Sequence, residues 1–327
     1  MPRRRTIAET GEFGLLGRLL PTLPGASDVI LGPGDDCAVV DSGSGRLLVT
    51  VDALVEGVHF EAGWLTAAQL GRKAFLVNAS DIAAMGGAPR WCVLQVAAPP
   101  STPAADLAAL TRAVAAAASA AGASLVGGNL SRARELSVTV ALIGDAPRRP
   151  ITRRGARPGD LLYVTGALGE AALGLRELRR DAHAGGPAVR RFRQPPMRLR
   201  AAALLARAGL ASAMIDVSDG LVQDLRHLCA ASRVGARIAL DRIPVPPRVR
   251  RAGPMLALTG GEDYELLCAV PARHQRRVDR LAARFGCPFT CVGSCAPSRA
   301  GVRVVDARGS TVPVIAGHDH FARGRRG

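Results

Sequence analysis

Five short acidic motifs stand beside glycines or at the ends of apolar runs, where a carboxylate is open to a ligand. They are Gly34-Asp-Asp36, Val51-Asp52, Asn78-Ala-Ser-Asp81, Asp216-Val-Ser-Asp219-Gly220 and Gly260-Gly-Glu-Asp263. Glycine leaves little bulk around the neighbouring acid, so backbone and ligand can approach closely. Mg²⁺ prefers carboxylate oxygens, usually in company with phosphate groups. If the fold brings these acids together, the chemistry they favour is metal-assisted reaction of a phosphorylated compound.

Each motif also has a purely conformational explanation. Asp and Gly are common in turns, and Ser218 with Asp219 could simply cap a helix. Asp81 is harder to explain in this way, because it falls on the apolar side of a predicted helix. An acid in that position needs a partner or a metal.

Several other chemistries lack their sequence motifs. The chain has no Gly-x-x-x-x-Gly-Lys-Ser/Thr loop and no Gly-x-Ser-x-Gly elbow, and its only lysine, Lys73, fits neither a P-loop nor a protein-kinase strand. The Cys/His pattern of a zinc site is absent. Cys287, Cys291 and Cys295 recur every four residues, but we interpret them as buried small hydrophobes in a strand and turn. Carboxylates, glycines and arginines remain, and they suit phosphoryl transfer, which depends on positioning and charge neutralisation.

The elements that must position these motifs alternate between strand and helix along the whole chain, which predicts an α/β fold. Thr66 and Gln69 match a capping box, so a helix carrying Asp81 should begin there. The segment 182–196 is predicted to be a mobile loop, and residues 322–327 a frayed tail. Strands are predicted at 46–52, 91–96, 136–144, 161–166 and 213–217, and further helices over 103–121, 169–180 and 198–208 and from Ser218.

With 327 residues, the chain is long enough for two domains. Between 144 and 160 the composition shifts to Pro, Arg and Gly, which predicts domains at 1–147 and 148–327. No apolar run reaches the length of a membrane span. No apolar run follows the basic residues at 3–5, as a signal peptide would require. An odd number of cysteines, seven, favours reduced thiols and a cytoplasmic location.

The formal charge of +16 raises the possibility of nucleic-acid binding. The arginines, however, are spread along the chain rather than grouped in one stripe, and aromatic residues make up only 3% of it. There is therefore little material for stacking on bases. Nucleic-acid binding is the less favoured interpretation, although some arginines would help to recruit an anionic substrate.

Taken in order, the acidic motifs and several others resemble the thiamine-monophosphate kinase family, within the superfamily of aminoimidazole ribonucleotide synthetase and selenophosphate synthetase. The resemblance runs from Gly11-Glu-Phe to His320-Phe321. It also rests on the block from Asp52 to Phe60, on Gly127-Gly-Asn129, on the block from Arg153 to Asp160, and on Gly260-Gly-Glu-Asp-Tyr-Glu265.

The resemblance implies a role for each matching residue. Metal ligands for several Mg²⁺ ions would be Asp36, Asp52, Asp81, Asp216 and Asp219, with the backbone carbonyl of Val51 and the amide oxygen of Asn129. Gly128, Asn129, Arg153 and Ser218 would lie on the ATP side. His59, Glu262 and His318 would face thiamine monophosphate.

The resemblance also implies a two-domain, PurM-like α/β architecture, with an N-terminal dimerising sheet and an active site between the domains near a homodimer seam. The implied reaction is in-line transfer of the γ-phosphoryl group of ATP to thiamine monophosphate. Three positions depart from the family pattern. Asn129 replaces an aspartate common in relatives, Gln194 replaces an arginine before proline, and His318 replaces a Tyr or Trp.

Three alternatives remain open from the sequence. The protein could be another ATP-using synthetase of the same superfamily, although no cysteine precedes Cys37 to serve a selenophosphate synthetase. It could be an inactive regulator that binds thiamine phosphates, for which Asn129 is the argument. It could also be an arginine-rich nucleic-acid-binding protein.

Overall fold

A computed structural model describes residues 6–314 of the chain. His318 and the terminal Asp319-His-Phe motif, as well as the predicted tail at 322–327, lie outside the described residues. Within the described range, no helix has both the length and the hydrophobicity needed to cross a membrane.

The first half of the chain forms a mixed sheet of six strands within the described residues, in the order β1-β2-β3-β6-β4-β5. The strands predicted at 46–52, 91–96 and 136–144 are confirmed, and in each of them every second side chain points to the same face. Their bounds are β1 Val29–Leu31, β2 Ala38–Asp41, β3 Arg46–Val55, β4 Ala88–Ala98, β5 Ser124–Arg132 and β6 Ser137–Asp145. β5 runs parallel to β4, and the other neighbours are antiparallel.

The second half forms a seven-stranded sheet over the same described range, in the order β13-β12-β9-β11-β7-β10-β8. Its bounds are β7 Leu161–Thr165, β8 Ala213–Val217, β9 Val234–Ala239, β10 Glu265–Val270, β11 Phe289–Pro297, β12 Val302–Val305 and β13 Thr311–Val312. β7, β8 and β10 are almost wholly buried, because helices cover both of their faces.

Helices pack on both sheets and between them. Their bounds are α1 Ile7–Thr10, α2 Glu12–Leu19, α3 Ala67–Ala84, α4 Ala104–Ala120, α5 Glu170–Arg180, α6 Pro187–Arg193, α7 Leu199–Ala208, α8 Leu221–Ser232, α9 Pro247–Ala252, α10 Leu256–Thr259 and α11 Gln275–Leu281. Short 3₁₀ turns occur among them, for example at Leu20–Thr22 and Leu240–Arg242. The predicted α/β fold is confirmed in both halves.

α3 is the central helix of the molecule. It begins at the predicted place, with Thr66 as N-cap and Gln69 completing a capping box. One side packs on α4, β3 and β6 of the first half, and the other contacts α7 and β8 of the second. Most of its residues are consequently buried, including the polar Lys73, Asn78 and Ser80.

The prediction of a loop over 182–196 is wrong. This segment contains α6, and Ala188, Val189 and Phe192 on that helix are buried. Val189 and Phe192 join the hydrophobic core of the first half, although they belong to the second half by sequence. Gly185, Gly186 and the following prolines suggested a loop, but burial of the apolar side chains stabilises a short helix that its local sequence would not favour.

Candidate active site

Three carboxylates from distant parts of the chain meet between the two sheets. Asp36 comes from the turn between β1 and β2, Asp81 from the last turn of α3, and Asp216 from β8. One oxygen of each lies within 4.8 Å of the others, the only such group of His, Cys, Asp and Glu side chains among residues 6–314. The three cysteines at 287, 291 and 295 do not form a comparable group there.

Burial and mutual repulsion shape the electrostatics of this carboxylate cluster (Asp36, Asp81 and Asp216). Burial, then the charges of Asp216, Asp52 and Asp36, raise the pKa of Asp81 well above its usual value. Burial, then the charge of Asp36, raises the pKa of Asp216 to about 7. Such shifts arise when buried acids lack enough positive charge nearby.

Arg153 supplies the closest positive charge. Its Nη2 donates to Asp36 Oδ1 at 2.6 Å and its Nε at 3.2 Å, while its backbone N–H donates to the neighbouring Asp35. Burial, followed by the charge of Asp36, raises the pKa of Asp35 to about 6. Arg153, expected on the ATP side, therefore contacts the cluster directly.

The donor set fits a hard divalent cation. Asp36 Oδ2 is buried, and among the described residues it has no hydrogen-bond partner. A buried charged oxygen of this kind needs a compensating charge. Several carboxylate oxygens within a few ångströms of one another are what Mg²⁺ accepts as ligands.

Two side chains on one face of β3, those of Thr50 and Asp52, lie next to the cluster. Thr50 Oγ1 donates to Asp81 Oδ2 at 2.6 Å, and Asp52, two residues on, lies on the same face of the strand. The charge of Asp52 contributes to the raised pKa values of Asp81 and Asp216. The side chain of Val51 points to the opposite face and is 62% exposed, so only its backbone carbonyl could serve a metal.

The turn after β8 holds Ser218 and Asp219 beside Asp216. Ser218 Oγ lies 3.4 Å from Asp216 Oδ1, and the backbone N–H of Asp219 donates to the buried carboxylate of Asp224. Gly220, not Ser218 or Asp219, is the N-cap of α8, and no side chain caps that end. The conformational explanation of Ser218 and Asp219 as caps is therefore wrong.

Gly128 and Asn129 lie within β5 at the edge of the first sheet, and both are exposed. A Cβ on Gly128 would stand 2.0 Å from the carbonyl oxygen of Leu94 on β4, so close strand pairing requires glycine here. A cavity of about 810 Å³ adjoins both residues, bordered also by Leu107 and Thr111 of α4.

The two described residues predicted to face the second substrate come from opposite halves of the chain. His59 lies in the turn after β3, where its Nδ1 accepts a hydrogen bond from the Val55 N–H at 3.1 Å, which leaves the proton on Nε2. Glu262 lies in the loop before β10, and its carboxylate binds the ammonium of Lys73. The third, His318, is outside the described residues.

Sequence reasoning missed four polar partners of the site: Thr50, Ser80, Lys73 and Asp224. Ser80 Oγ donates to Asp216 Oδ2 at 2.8 Å, and Asp224 is buried against Asp219. The sequence did contain one indication of these partners. Lys73, Ser80 and Asp81 have the i, i+7, i+8 spacing of residues on one face of a helix, the face of α3 that is buried.

The comparisons with known proteins agree with this geometry. Residues 34–146 match the family model for AIR synthase related protein, N-terminal domain, and residues 157–306 match its C-terminal domain. Thiamine-monophosphate kinase of Salmonella typhimurium is 37% identical over 331 residues, covering 95% of this chain and 98% of the relative. The Mycobacterium tuberculosis kinase of that name is 40% identical over 273 residues, covering 80% of this chain and 81% of the relative.

A solved structure extends the likeness to three dimensions. AaThiL complexed with AMPPCP and TMP is 30% identical and superposes with a TM-score of 0.85, covering 98% of this chain and all of the other. Family models, sequence identity and fold thus point the same way, and the chain belongs to the thiamine-monophosphate kinase family of AIR synthase related proteins.

Proposed function

We propose that the protein transfers the γ-phosphoryl group of ATP to thiamine monophosphate and so forms thiamine diphosphate. The observation that carries this proposal is the meeting of Asp36, Asp81 and Asp216 within 4.8 Å, from three segments that the family motifs mark. Relatives that share this chain's length carry that activity in their names, and AaThiL has been solved with AMPPCP and TMP.

Magnesium is the metal that best suits the cluster. Its ligands would be Asp36, Asp52, Asp81, Asp216 and Asp219, joined by the Val51 carbonyl and the Asn129 amide oxygen. When bound, Mg²⁺ neutralises the charge that keeps two phosphate-bearing substrates apart. Thr50 and Ser80 orient the carboxylates of Asp81 and Asp216 by donating hydrogen bonds to them.

The nucleotide is proposed to lie along β5 and the turn after β8. Gly128 and Asn129 border the cavity of about 810 Å³, which offers apolar walls for a base next to polar backbone for phosphates. Arg153 and Ser218 would stabilise the phosphate end. Arg153 is held by Asp36 in a position where its remaining guanidinium donors can reach an anion.

The acceptor phosphate needs no general base. The second pKa of a phosphate monoester is about 6, so its attacking oxygen is largely ionised at neutral pH. The work left to the protein is to bind, orient and exclude water. His59, Glu262 and His318 would hold thiamine monophosphate.

A homodimer is proposed through the open face of the first sheet. Val49, Val51 and Val93 on this face are exposed, and Val51 and Val93 both pair with Ala141 of β6. A contiguous apolar surface of this kind marks a protein interface. Sedimentation analysis should give the mass of a dimer, and a Val51→Asp, Val93→Asp variant should sediment as a monomer.

We further propose domains at 1–147 and 148–327 and a reducing, cytoplasmic location. Each sheet lies entirely on one side of the proposed boundary, although α6 packs into the first core. All seven cysteines are free thiols.

The test is an assay of purified protein with ATP, Mg²⁺ and thiamine monophosphate, following thiamine diphosphate by chromatography. Thiamine diphosphate should form from thiamine monophosphate but not from thiamine, and EDTA should abolish its formation. Tight binding of ATP and thiamine monophosphate without product would instead support the inactive regulator. ATP hydrolysis without thiamine diphosphate would favour another synthetase of the superfamily, the alternative that the relatives do not support.

A further inference from the structure

The only lysine of the chain is buried next to Glu262, a residue proposed to bind thiamine monophosphate. Lys73, on α3, is 1% exposed, and its Nζ contacts Glu262 Oε2 at 2.5 Å. The same Nζ lies 3.5 Å from the centroid of the Phe192 ring on α6. Burial lowers the pKa of Lys73 and the Glu262 carboxylate opposes that shift. A buried ammonium requires such partners, because its desolvation is costly.

The main chain around Glu262 is held independently of this contact. The Glu262 N–H donates to the Ser218 carbonyl at 2.7 Å and the Tyr264 N–H to the Val217 carbonyl at 2.8 Å. A Cβ on Gly261 would stand 2.4 Å from the Ser218 carbonyl oxygen, so only glycine allows this approach. Glu262 itself has φ +72°, an unfavourable value for a residue with a side chain. The loop backbone is therefore fixed to the turn that carries Asp219, and Lys73 sets the direction of the carboxylate.

The two oxygens of Glu262 have different surroundings. Oε2 accepts from Lys73, whereas Oε1 has no hydrogen-bond partner within residues 6–314. The side chain is 20% exposed, in contrast to the enclosed lysine. One oxygen is thus anchored and the other is left for a ligand.

α3 connects this pair to the carboxylate cluster. Lys73 and Ser80 are seven residues apart, close to two helical turns, so both face the second half of the chain, where they contact Glu262 and Asp216. Lys73 and Asp81 are separated by about 12 Å along the helix axis, from a rise of ~1.5 Å per residue. One rigid helix therefore fixes the distance between the proposed phosphoryl-transfer centre and Glu262.

We propose that Lys73 is a positioning residue, which holds the Glu262 carboxylate in one orientation so that its second oxygen binds the acceptor. This inference rests on the proposed function and deepens it. Thiamine monophosphate offers a cationic thiazolium ring and, at the end away from its phosphate, an aminopyrimidine N–H. A carboxylate held beside Lys73, about two helical turns from Asp81, matches both groups, and a rotated one does not.

The first test is Lys73→Met, which keeps an unbranched side chain of similar length and removes the charge. The KM for thiamine monophosphate should rise about 10- to 100-fold, as expected for loss of a charge-assisted contact. The KM for ATP and kcat should change less than about threefold. Lys73→Arg should rescue only in part, because a planar guanidinium does not fit beneath Phe192 as a compact ammonium does. Unchanged KM for thiamine monophosphate in a folded Lys73→Met protein would overturn the proposal.

A double-mutant cycle with Glu262→Gln separates positioning from general destabilisation. If Lys73 acts through Glu262, adding Lys73→Met to Glu262→Gln should change the KM for thiamine monophosphate less than about twofold. Full additivity would mean that Lys73 acts elsewhere. Arg176→Met is the matched control, since it removes a partly buried cation that bonds the Ala252 carbonyl. It should lower the melting temperature without raising that KM.

Calorimetric titration of thiamine monophosphate keeps this inference distinct from the proposed function. If the wild-type protein turns over and Lys73→Met keeps its affinity, the positioning role is wrong and the kinase activity stands. If the wild-type protein binds thiamine monophosphate without turnover, and Lys73→Met and Glu262→Gln each weaken binding, the positioning role stands and the activity fails. If the wild-type protein does not bind it, both are wrong.

Discussion

Two of the buried acidic groups within residues 6–314 are built in opposite ways. The carboxylate cluster gathers Asp36, Asp81 and Asp216, with Arg153 as the cation that contacts it. The second group surrounds Glu265 at the start of β10, which is fully buried.

Glu265 is completely paired. Arg198 binds both of its oxygens at 2.5 and 2.6 Å, Arg191 adds a contact at 3.1 Å, and Thr165 donates at 2.6 Å. Two positive charges thus face one negative charge. The group links α6 and α7 to the sheet, and its role is structural.

This difference in pairing distinguishes acids that can bind a ligand from acids that only stabilise the fold. A buried acid is normally matched by cations and donors at once, as Glu265 is. The carboxylate cluster instead leaves Asp36 Oδ2 without a partner among the described residues and keeps several pKa values raised. The proposed Mg²⁺ ions would supply the positive charge that the cluster lacks.

Asp81→Asn should produce the largest effect of the predicted changes, a loss of turnover. The amide keeps an oxygen for the Thr50 hydrogen bond and removes the charge, so turnover should fall by about 1,000-fold, equivalent to roughly 4 kcal/mol of transition-state stabilisation. In EDTA at pH 8 the unfolding free energy should rise, because one of three repelling acids is gone. Steady-state kinetics and chemical denaturation measure the two effects.

Asp145→Asn is the control for that prediction, since it neutralises an exposed carboxylate on β6. It should leave both turnover and stability nearly unchanged. Full activity of Asp81→Asn would remove the cluster from the mechanism.

Arg198→Met should affect stability most. Glu265 would lose its two-oxygen partner while still buried, and the unfolding free energy should drop by about 3 kcal/mol. The kcat/KM should fall less than about tenfold. The matched control is Arg90→Met, which breaks an exposed pair with Asp145 at 3.1 Å and should cost less than about 1 kcal/mol. Equal losses from both variants would contradict the contrast between buried and exposed pairs.

The stability gained on Mg²⁺ binding should be the smallest of these effects, and it distinguishes the carboxylate cluster from the group around Glu265. At about 100 times its Kd, Mg²⁺ should add about 2.7 kcal/mol to the stability of wild type and Arg198→Met, but little to Asp81→Asn. Thermal unfolding with and without Mg²⁺ checks this expectation. Equal gains in all three proteins would place the ion elsewhere.

The Mg²⁺ effect should also depend on pH. Asp216 has a pKa of about 7 in the folded protein against an ordinary 3.8, so the metal-free native state binds more protons than the unfolded chain between these values. Its stability therefore falls as pH rises from about 4 to 7. Protons compete with Mg²⁺ for the same oxygens, so the gain from Mg²⁺ should be larger at pH 8 than at pH 5.

Much of the fold could be predicted because its signals are local. The capping box at Thr66 and the apolar spacing of α3 lie within one helix, and alternating hydrophobic residues predict the strand at 136–144. The failure at 182–196 has the opposite cause. Glycines and prolines there indicate a loop, but Val189 and Phe192 pack into a core whose residues come mainly from 37–142.

The sequence by itself determined the α/β class, the family motifs and the acids at the ends of their elements, since these depend on residue type and short spacing. Only the tertiary structure decided which acids meet and which are paired. Lys73 and Glu262 are 189 positions apart, and Ser80 and Asp216 are 136 apart. Contacts over such distances depend on how α3 packs between the two sheets, and no local pattern of residues contains that information.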